Sequence, residues 1–578
     1  MNLLLTLGHN SSAILTNHGH VFCGYEEERI NRAKSSSAFP INAINECITA
    51  AKKDGDLDLG QGGNLYISHW YDDFNFLTNG FSSKQWDPQA IKDLCSTYRL
   101  KPVSLSPSFT HHDAHAHAAV AFWRTQTDVE YGPLHICVAD GFGNKEEVFS
   151  VYVCDPAQDS FQLKTRIYGY HNSLGLLYQY ATSFCGMKEN QDEYKFLGYE
   201  SYVHETLNES QIKNLQNEAR VLATRYLATG RDSKASLNKK YIDIERLTTV
   251  KTNLHLEFEN LIKKITGKPS TSFSPIELRR IIGHFVQCVI ETFYTEIITE
   301  FDIENVVVTG GLHYNVKLNN HILSKIPGDL CATPLAGDQG AAIGLMAYNE
   351  DGMSGLDSLL WGHRDLKVPN AVNGQEFKPY HHYFSNRADY VNFVTEQLQR
   401  DHIVNTITGQ MEFGPRALCN TSTLALPTEV NVQTINSLNG RDTVMPMAPV
   451  ILDEMAHHFF PMDKRVVGSL EYMILTLDYH PTLDVKRFRG IMHPYPRIGP
   501  KTGYSGRPQL VTERGDQPIR QILKNIQAEH QALINTSLNV HGVPIVYTVQ
   551  HAIADMDYNS LIASDQCLPQ PLLVIGDF

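Results

Sequence analysis

The chain opens on an apolar run at residues 3–7, turns polar, and becomes apolar again at 13–15 and 21–22, a spacing that predicts a β-hairpin start. Short runs at 65–68, 134–139, 148–153 and 306–309 predict further strands. Between them, apolar residues recur at helical spacing over 41–51, 112–123, 174–184 and 276–299. Residues 205–265 are polar and rich in Lys, Glu and Asn, which predicts a helical insertion. Strands alternating with helices up to about residue 350 predict an α/β domain.

Residues 351–374 mix Gly, Pro, Asn and charge without periodicity and mark a linker. A second α/β unit follows, with strands predicted at 403–407, 469–477 and 532–534 and helices at 388–400 and 518–530. No short-period internal repeat is evident. A length of 578 residues exceeds what one core supports. The expected division is a first domain at 1–355, a linker at 356–384 and a second domain at 385–578.

Composition narrows the classes. Apolar content of 42% and charged content of 19% suit a globular chain, so long disordered tracts are not expected. The net charge of −14 excludes a surface coated for nucleic-acid backbone, though not a local basic groove. The ten cysteines form no CxxC pair, which argues against a thiolate metal site or a disulfide framework. The N-terminus turns polar by His9, too early for a signal peptide, and no apolar run approaches the roughly 20 residues of a membrane helix. A cytoplasmic protein without a membrane partner is expected.

Candidate chemistry begins at His111-His112-Asp113-Ala114-His115. His111 and His115 are four apart, so on a helix their rings share one face and can share an ion. Hydrolytic zinc helices carry a general-base Glu beside the first His, where this chain has His112, which argues against a protease. Asp140 follows the 134–139 strand and Asp338 precedes a small-residue helix start, positions from which carboxylates converge on a ligand crevice. Two imidazoles with one or two carboxylates suit Fe(II) first, with Zn(II) or Mn(II) as alternatives. A solvated His-rich face and a plain turn aspartate are the competing structural explanations.

Three strand-then-turn segments offer backbone amides to phosphate: Leu7 to Ser12, Asp140 to Asn144, and Val306 to Gly311 with Asn315 one helical turn later. Their order along the chain is that of the actin-like ATPase fold. In the second half, Arg416 at a Gly-Pro turn, Arg507, and Asn535-Thr536-Ser537 after a strand can grip phosphate and a planar carbonyl together. Two arginines in ordinary salt bridges would be the alternative.

These motifs resemble, over nearly the whole chain, the O-carbamoyltransferase family that includes the nodulation, cephalosporin and tobramycin carbamoyltransferases. The matches are HNSSA at 9–13, EEERINR at 26–32, HHDAHA at 111–116, NSLGLLY at 172–178, DEYKFLG at 192–198, VTGGLHYN at 308–315, GDQGAAIG at 337–344, GQMEFGPRAL at 409–418 and NTSLNVHGVPIV at 535–546. The resemblance implies a large α/β domain with the actin-like ATPase fold, like the tRNA threonylcarbamoyl-transferase subunit, and a smaller YrdC-like α/β domain. The second domain would make a carbamoyl-adenylate from carbamoyl phosphate and ATP, with Mg. The first would pass the carbamoyl to an acceptor hydroxyl beside bound iron. By motif, the metal ligands would be His111, His115, Asp140 and Asp338. Arg416, Arg507, Asn535 and Ser537 would hold carbamoyl phosphate and ATP, with Arg416 catalytic and His9 the acid/base or orienting group. Asn10, Ser12, Gly141, Lys195, Gly310, Gly311, Asn315 and Gly337 would complete the nucleotide contacts. Three positions depart from the family pattern: Asn439 replaces a lysine before Arg441-Asp442, Met445 an arginine, and Ser35 a histidine. Either Lys464 or Arg465 supplies the missing charge, or triphosphate binding is weaker.

Acceptors in the family are mostly sugar and antibiotic hydroxyls, while one viral branch looks like a modifier of 5-hydroxymethylcytosine. Residues 69–86 hold six aromatics, among them Trp70 and Trp86, a density that can stack a flat base. Core packing is the plainer use of those rings, and Asp72 and Asp73 would instead suit an aminoglycoside. The reading is a hydroxymethyl-pyrimidine acceptor in single-stranded or flipped-base nucleic acid, in a homodimeric, virus-encoded protein of the host cytoplasm. The alternatives are a small-molecule hydroxyl, an actin-fold sugar kinase, and a nucleotide-dependent scaffold.

Overall fold

The structure is a computed structural model; it describes residues 1–578 apart from 55–61, 69–86, 104–107, 128–131, 156–159, 232–242, 351–352, 363–365, 367–370, 373–374, 377, 442–446, 463–465, 497–501, 515–516 and 527–531. The aromatic segment with Trp70, Trp86, Asp72 and Asp73 lies outside the described residues, as do Met445, Lys464 and Arg465.

Strands β1 (Asn2–Thr6), β2 (Ser12–Asn17), β3 (His20–Glu26), β4 (Gly63–Ser68) and β5 (Leu100–Pro102) form one sheet in the order β3-β2-β1-β4-β5. Pairing is antiparallel from β3 to β1 and parallel from β1 to β5. A second sheet repeats this plan: β6 (Leu134–Ala139), β7 (Glu147–Asp155), β8 (Ser160–Tyr168), β9 (Val306–Thr309) and β10 (Leu330–Ala332) run in the order β10-β9-β6-β7-β8. Its pairings carry the same senses. The repeat is one of topology and leaves no short-period repeat in the sequence.

Helices α1 (Glu27–Asn31), α2 (Ile41–Asp54) and α3 (Pro88–Thr97) connect the first sheet, and α4 (His111–Gln126) leaves it. The second sheet's long β8–β9 connection carries α5 (Leu174–Phe184), α6 (Glu193–Tyr199), α7 (Glu209–Gly230), α8 (Ile244–Thr266) and α9 (Pro275–Phe301). Then α10 (Val316–Lys325) joins β9 to β10, and α11 (Ala341–Asn349) follows. The polar insertion thus supplies α7 and α8, whose buried faces pack on the core around α9. α9 corrects the expectation that no segment has membrane-helix length and apolarity: it passes that test, yet 67% of its most apolar window is buried inside the protein. A capping box at Ser274 and Glu277 starts it.

Beyond residue 355, β11 (Leu360–Gly362) lies within the predicted linker and pairs with a later strand of the second half. β12 (Ala371–Val372) and β13 (Gln375–Glu376) form a hairpin. A seven-stranded sheet then comprises β14 (His381–Phe384), β15 (Val404–Thr408), β17 (Thr421–Ala425), β18 (Ala448–Leu452), β22 (Gln509–Val511), β23 (Leu533–Ser537) and β24 (Leu572–Gly576), with β16 (Met411–Glu412) as the partner of β11. A small sheet holds β19 (Leu477–Asp478), β20 (His493–Pro496) and β21 (Thr502–Gly506). The strand predicted at 469–477 is not formed: Leu470–Tyr472 is a single 3-10 turn, Met473 is left-handed, and only Leu477 enters a strand. The segment is apolar because it is buried, but its backbone is satisfied elsewhere. Asn319 Nδ2 donates to Ile474 O, and Thr476 N donates to Val316 O. The helix predicted at 518–530 is described over Pro518–Ile526.

Helices α4 and α11, each following the last strand of its sheet, meet face to face. A Cβ built on Gly344 would lie 1.7 Å from the Ala114 carbonyl oxygen, so only glycine permits this approach. Gly344→Ala forces the helices apart and is expected to cost about 3 kcal/mol as overpacking, read as a lowered denaturation midpoint; an unchanged midpoint would refute the close packing.

Candidate functional site

The helix crossing places chemistry at the first turn of each helix. The Thr110 side chain accepts from Asp113 N while Asp113 accepts from Thr110 N, and this capping box starts α4 at His111. His111 and His115 then project from one face, with His115 Nε2 3.0 Å from His111 Nε2. Asp338, in the 3-10 turn before α11, brings Oδ1 to 3.2 Å from His111 Nε2 and 3.8 Å from His115 Nε2. Asp140, just past the end of β6, brings Oδ2 to 3.5 and 3.9 Å from the same nitrogens. The four sequence-predicted ligands therefore come together, with one donor atom from each lying within 4.8 Å of the others.

Burial penalises a charged imidazole at His111, but its hydrogen bonds to Asp140 and Asp338 outweigh this and hold it up to about 10. Burial and the neighbouring His111 charge push His115 down. Burial would raise Asp338, yet the two histidines carry it far below the usual carboxylate range. Two imidazole nitrogens facing each other between two carboxylates make a donor set that suits a divalent cation: nitrogen and oxygen ligands at separations of about 3 to 4 Å match bonds of about 2.0–2.2 Å to one ion.

The surroundings fix this set in place. His111 N donates to Asn144 Oδ1 (2.6 Å) and His112 N to Glu147 Oε1 (2.9 Å). Arg166 pairs with Glu147 (3.2 Å) and Asp113 (2.8 Å), and Tyr152 OH donates to Asp113 Oδ1. The second predicted turn wraps Asp140: Gly141 N donates to Asp140 Oδ1 at 2.7 Å, and Ser173 Oγ donates to Gly141 O. The third turn presses against it, since a Cβ on Gly310 would sit 2.2 Å from Ala139 O and one on Gly311 2.9 Å from Asp140 Oδ1. In the first turn Asn10 is left-handed at φ 57°, Ser12 begins β2, and the His9 charge helps lower Asp338. His9 Nε2 is buried with no hydrogen-bond partner among the described residues. Asn315 caps α10 and donates to Gln287, so its side chain holds the helix start.

A second set gathers at the C-terminal end of β23. Asn535 Nδ2 donates to Ala417 O (2.9 Å) and Gln509 Oε1 (2.5 Å), which ties the Arg416 and Arg507 segments together. Ser537 Oγ and Asn539 Oδ1 both meet Arg441, which also donates to Thr536 Oγ1 at 2.7 Å. Arg416 and Arg507 have no carboxylate partner among the described residues. Burial lowers both guanidiniums, and the like charge of Arg416 lowers Arg507 further. Tyr194 lies within the field of Arg441, Arg416 and Arg507. Lysines arrive from the first half: Lys195 pairs with His541 (2.8 Å) and Asp192, and Lys34 is lowered by burial and by the charges of Lys195 and Arg441. Buried guanidiniums clustered without matching carboxylates among the described residues make this a candidate anion site.

The acidic EEERINR segment joins the halves. Arg29 is fully buried; it donates to Glu26 (3.0 Å) and to Gly414 O (2.6 Å), while Gly414 N donates to Glu26 Oε2. Burial pushes Glu26 up to about 7 against the pull of Arg29. Arg32 donates to Ile545 O. Glu412 accepts from the backbone of Leu418, Asn420 and Thr421, which shapes the turn bearing Arg416. Between the two sites stands Tyr314: the Arg416 guanidinium lies 5.9 Å from its ring centroid, and its hydroxyl accepts from Gly337 N (3.0 Å) and Gln339 Nε2 (2.7 Å), beside Asp338. Sequence reasoning missed Tyr314, Gln339, Lys34 and Glu412 as site residues and treated Arg441 only as a motif neighbour. Their adjacency to matched motifs was the available signal.

Two substitutions test the two sets. His115→Ala is expected to abolish retention of a divalent cation through gel filtration, read by elemental analysis; full metal content would refute the assignment. Glu412→Gln leaves backbone N–H groups facing an amide and is expected to cost about 3 kcal/mol, with weaker binding of inorganic pyrophosphate by calorimetry. Unchanged binding would show that the turn does not depend on this carboxylate.

Comparison with known proteins agrees with both halves. Residues 71–347 match the model of the carbamoyltransferase N-terminus and residues 395–564 that of the carbamoyltransferase C-terminus. The chain is similar to an uncharacterized protein of Synechocystis, 25% identical over 95% of this chain and 94% of that one. It is 26% identical to the nodulation protein NolNO of Sinorhizobium fredii over 96% of this chain and 77% of that protein. Against the crystal structure of full-length HypF in its phosphate- and nucleotide-bound form, identity is 15% and the TM-score 0.30, over 60% of this chain and 55% of that one. With the two terminal models matched in order along it, the chain belongs to the carbamoyltransferase family and is a transferase.

Proposed function

We propose that the protein is an ATP-dependent O-carbamoyltransferase that forms a carbamoyl-adenylate at the Arg416–Arg441–Arg507 site and transfers the carbamoyl at the His111–His115–Asp140–Asp338 cluster. One observation carries this reading. A buried cationic site without carboxylate partners for Arg416 and Arg507 lies one phenol ring, Tyr314, away from a site suited to a divalent ion. A kinase would require only the first half; the second half's cations would then have no task. The twice-repeated 3-2-1-4-5 strand order supports an actin-like fold for the first half, and we assign the second half as YrdC-like.

In this scheme Arg416, Arg507 and Arg441 hold the phosphates of carbamoyl phosphate and ATP, with Lys195 and Lys34 supplying the charge absent at Asn439. Water attacks the phosphorus of carbamoyl phosphate and releases inorganic phosphate and carbamate; a carbamate oxygen then attacks the α-phosphorus of ATP, and pyrophosphate leaves. Carbamate is a poor acyl donor because its nitrogen stabilises the carbonyl, so adenylation supplies the leaving group. The acceptor oxygen then attacks the carbonyl carbon and AMP departs. His9, whose Nε2 is otherwise unpartnered, takes the hydroxyl proton. A divalent ion held by His111, His115, Asp140 and Asp338, Fe(II) by its donor set, would act as a Lewis acid. Burial of both sites keeps the labile adenylate from water. The acceptor is a hydroxyl. The 5-hydroxymethylcytosine expectation rested on residues 69–86, outside the described residues, and it stands as one arm of the test beside sugar hydroxyls.

Pyrophosphate release in the presence of ATP is expected only when carbamoyl phosphate is added. Arg507→Ala should eliminate it, whereas His111→Ala should spare it and block transfer. Wild-type release from Arg507→Ala would remove the adenylation site from this reading. In mass spectrometry, a single added carbamoyl on hydroxymethylated single-stranded DNA, or on a sugar, identifies the acceptor class. No gain on the DNA while adenylate forms would end the nucleic-acid reading.

A further inference from the structure

The pair Tyr314 and Gln339 has hydrogen-bonding capacity that the protein leaves unspent. The Tyr314 oxygen accepts two hydrogen bonds, from the Gly337 backbone N–H and from Gln339 Nε2. Both are donors, so the phenolic proton has no acceptor among the described residues. Gln339 is 1% exposed, and its Oε1 has no hydrogen-bond partner among the described residues. A buried amide oxygen left without a hydrogen bond is destabilising unless a ligand satisfies it. Gly337 keeps room beside the pair: a Cβ there would lie 2.6 Å from Gln339 Oε1 and 3.2 Å from the Tyr314 ring. The position is specific as well. Gln339 directly follows the cluster carboxylate Asp338, and the Arg416 guanidinium lies over the Tyr314 ring.

One free acceptor beside one free donor is the complement of a primary amide, which offers an N–H and a carbonyl oxygen from the same planar group. We propose that Gln339 Oε1 accepts the carbamoyl N–H while Tyr314 O–H donates to the carbamoyl oxygen, so that this pair selects carbamoyl over other acyl groups. The inference rests on the carbamoyl-adenylate reading. It assigns Gln339 as the residue that distinguishes NH2 from CH3, and Tyr314 as a carbonyl donor serving either group. No bond forms or breaks in this step.

The probes are two stable adenosine phosphonates, with CH2 in place of the bridging oxygen. One carries a carbamoylmethyl group and the other an acetonyl group, so they differ only in NH2 against CH3. Isothermal titration on the full chain is expected to give the wild type at least tenfold preference for the amide. Gln339→Met should bring the ratio close to one, leave affinity for the ketone unchanged, and keep or raise the denaturation midpoint, because an empty buried acceptor is removed. Tyr314→Phe retains the ring beneath Arg416; it should weaken both analogues about tenfold and preserve the ratio. A ratio unchanged in Gln339→Met, or affinities unchanged in Tyr314→Phe, overturns the proposal. Wild-type protein that binds neither analogue overturns the carbamoyl-adenylate reading itself, and this inference with it.

Discussion

The close approach of α4 to α11 is the constraint on which the rest depends. Each helix follows the last strand of its sheet, and the contact at Gly344 and Ala114 brings the start of α4 close to the turn before α11. His111 and His115 come from one helix and Asp338 from the turn before the other, while Asp140 ends the first strand of the second sheet. A duplicated topology thus builds a single mixed site at its own axis, with unequal contributions from the two copies. The cost of burying four ionisable groups is offset only if they share a proton or an ion. The network of Arg166 with Glu147 and Asp113 keeps the helix start from relaxing away from that cost.

The junction between the halves uses different physics. Arg29 is buried, yet it is matched by Glu26, by Glu412 at 3.9 Å and by the Gly414 carbonyl, so its charge is structural. Arg416, two residues past Gly414, and Arg507, just past β21, have no carboxylate partner among the described residues. The contrast separates roles that residue type alone does not: a paired buried arginine holds a joint, and an unpaired one awaits an anion. Gly24, pressed against Trp361 and Phe413, lets the linker strand β11 lie flat on β3, so the chain between the halves is itself part of the core.

Much of this was legible in the sequence. Continuous apolar runs located most strands of the first half, because those strands are buried on both faces, and period-3.6 patterning located several of its longer helices, because those bury one face. The four clustered residues were legible as candidates from a four-residue histidine spacing and two carboxylates at element ends. The segment 469–477 misled, since continuous apolarity records burial and not the partner of the backbone; here Asn319 and Val316 take the place of a ladder. α9 misled for the same reason, as length and apolarity do not say whether lipid or protein covers a helix.

What the sequence determined by itself was therefore local: element type, caps such as Thr110 with Asp113, and the residue types able to bind metal or phosphate. Tertiary structure alone decided that Lys34 lies beside Arg441, hundreds of residues away, that Glu412 shapes the Arg416 turn, and that Tyr314 stands between the two sets with Gln339 beside it. The physical reason is that hydrogen-bond and charge satisfaction is a sum over neighbours in space. Whether a buried donor, acceptor or cation is spent or free cannot be read until every neighbour is in place.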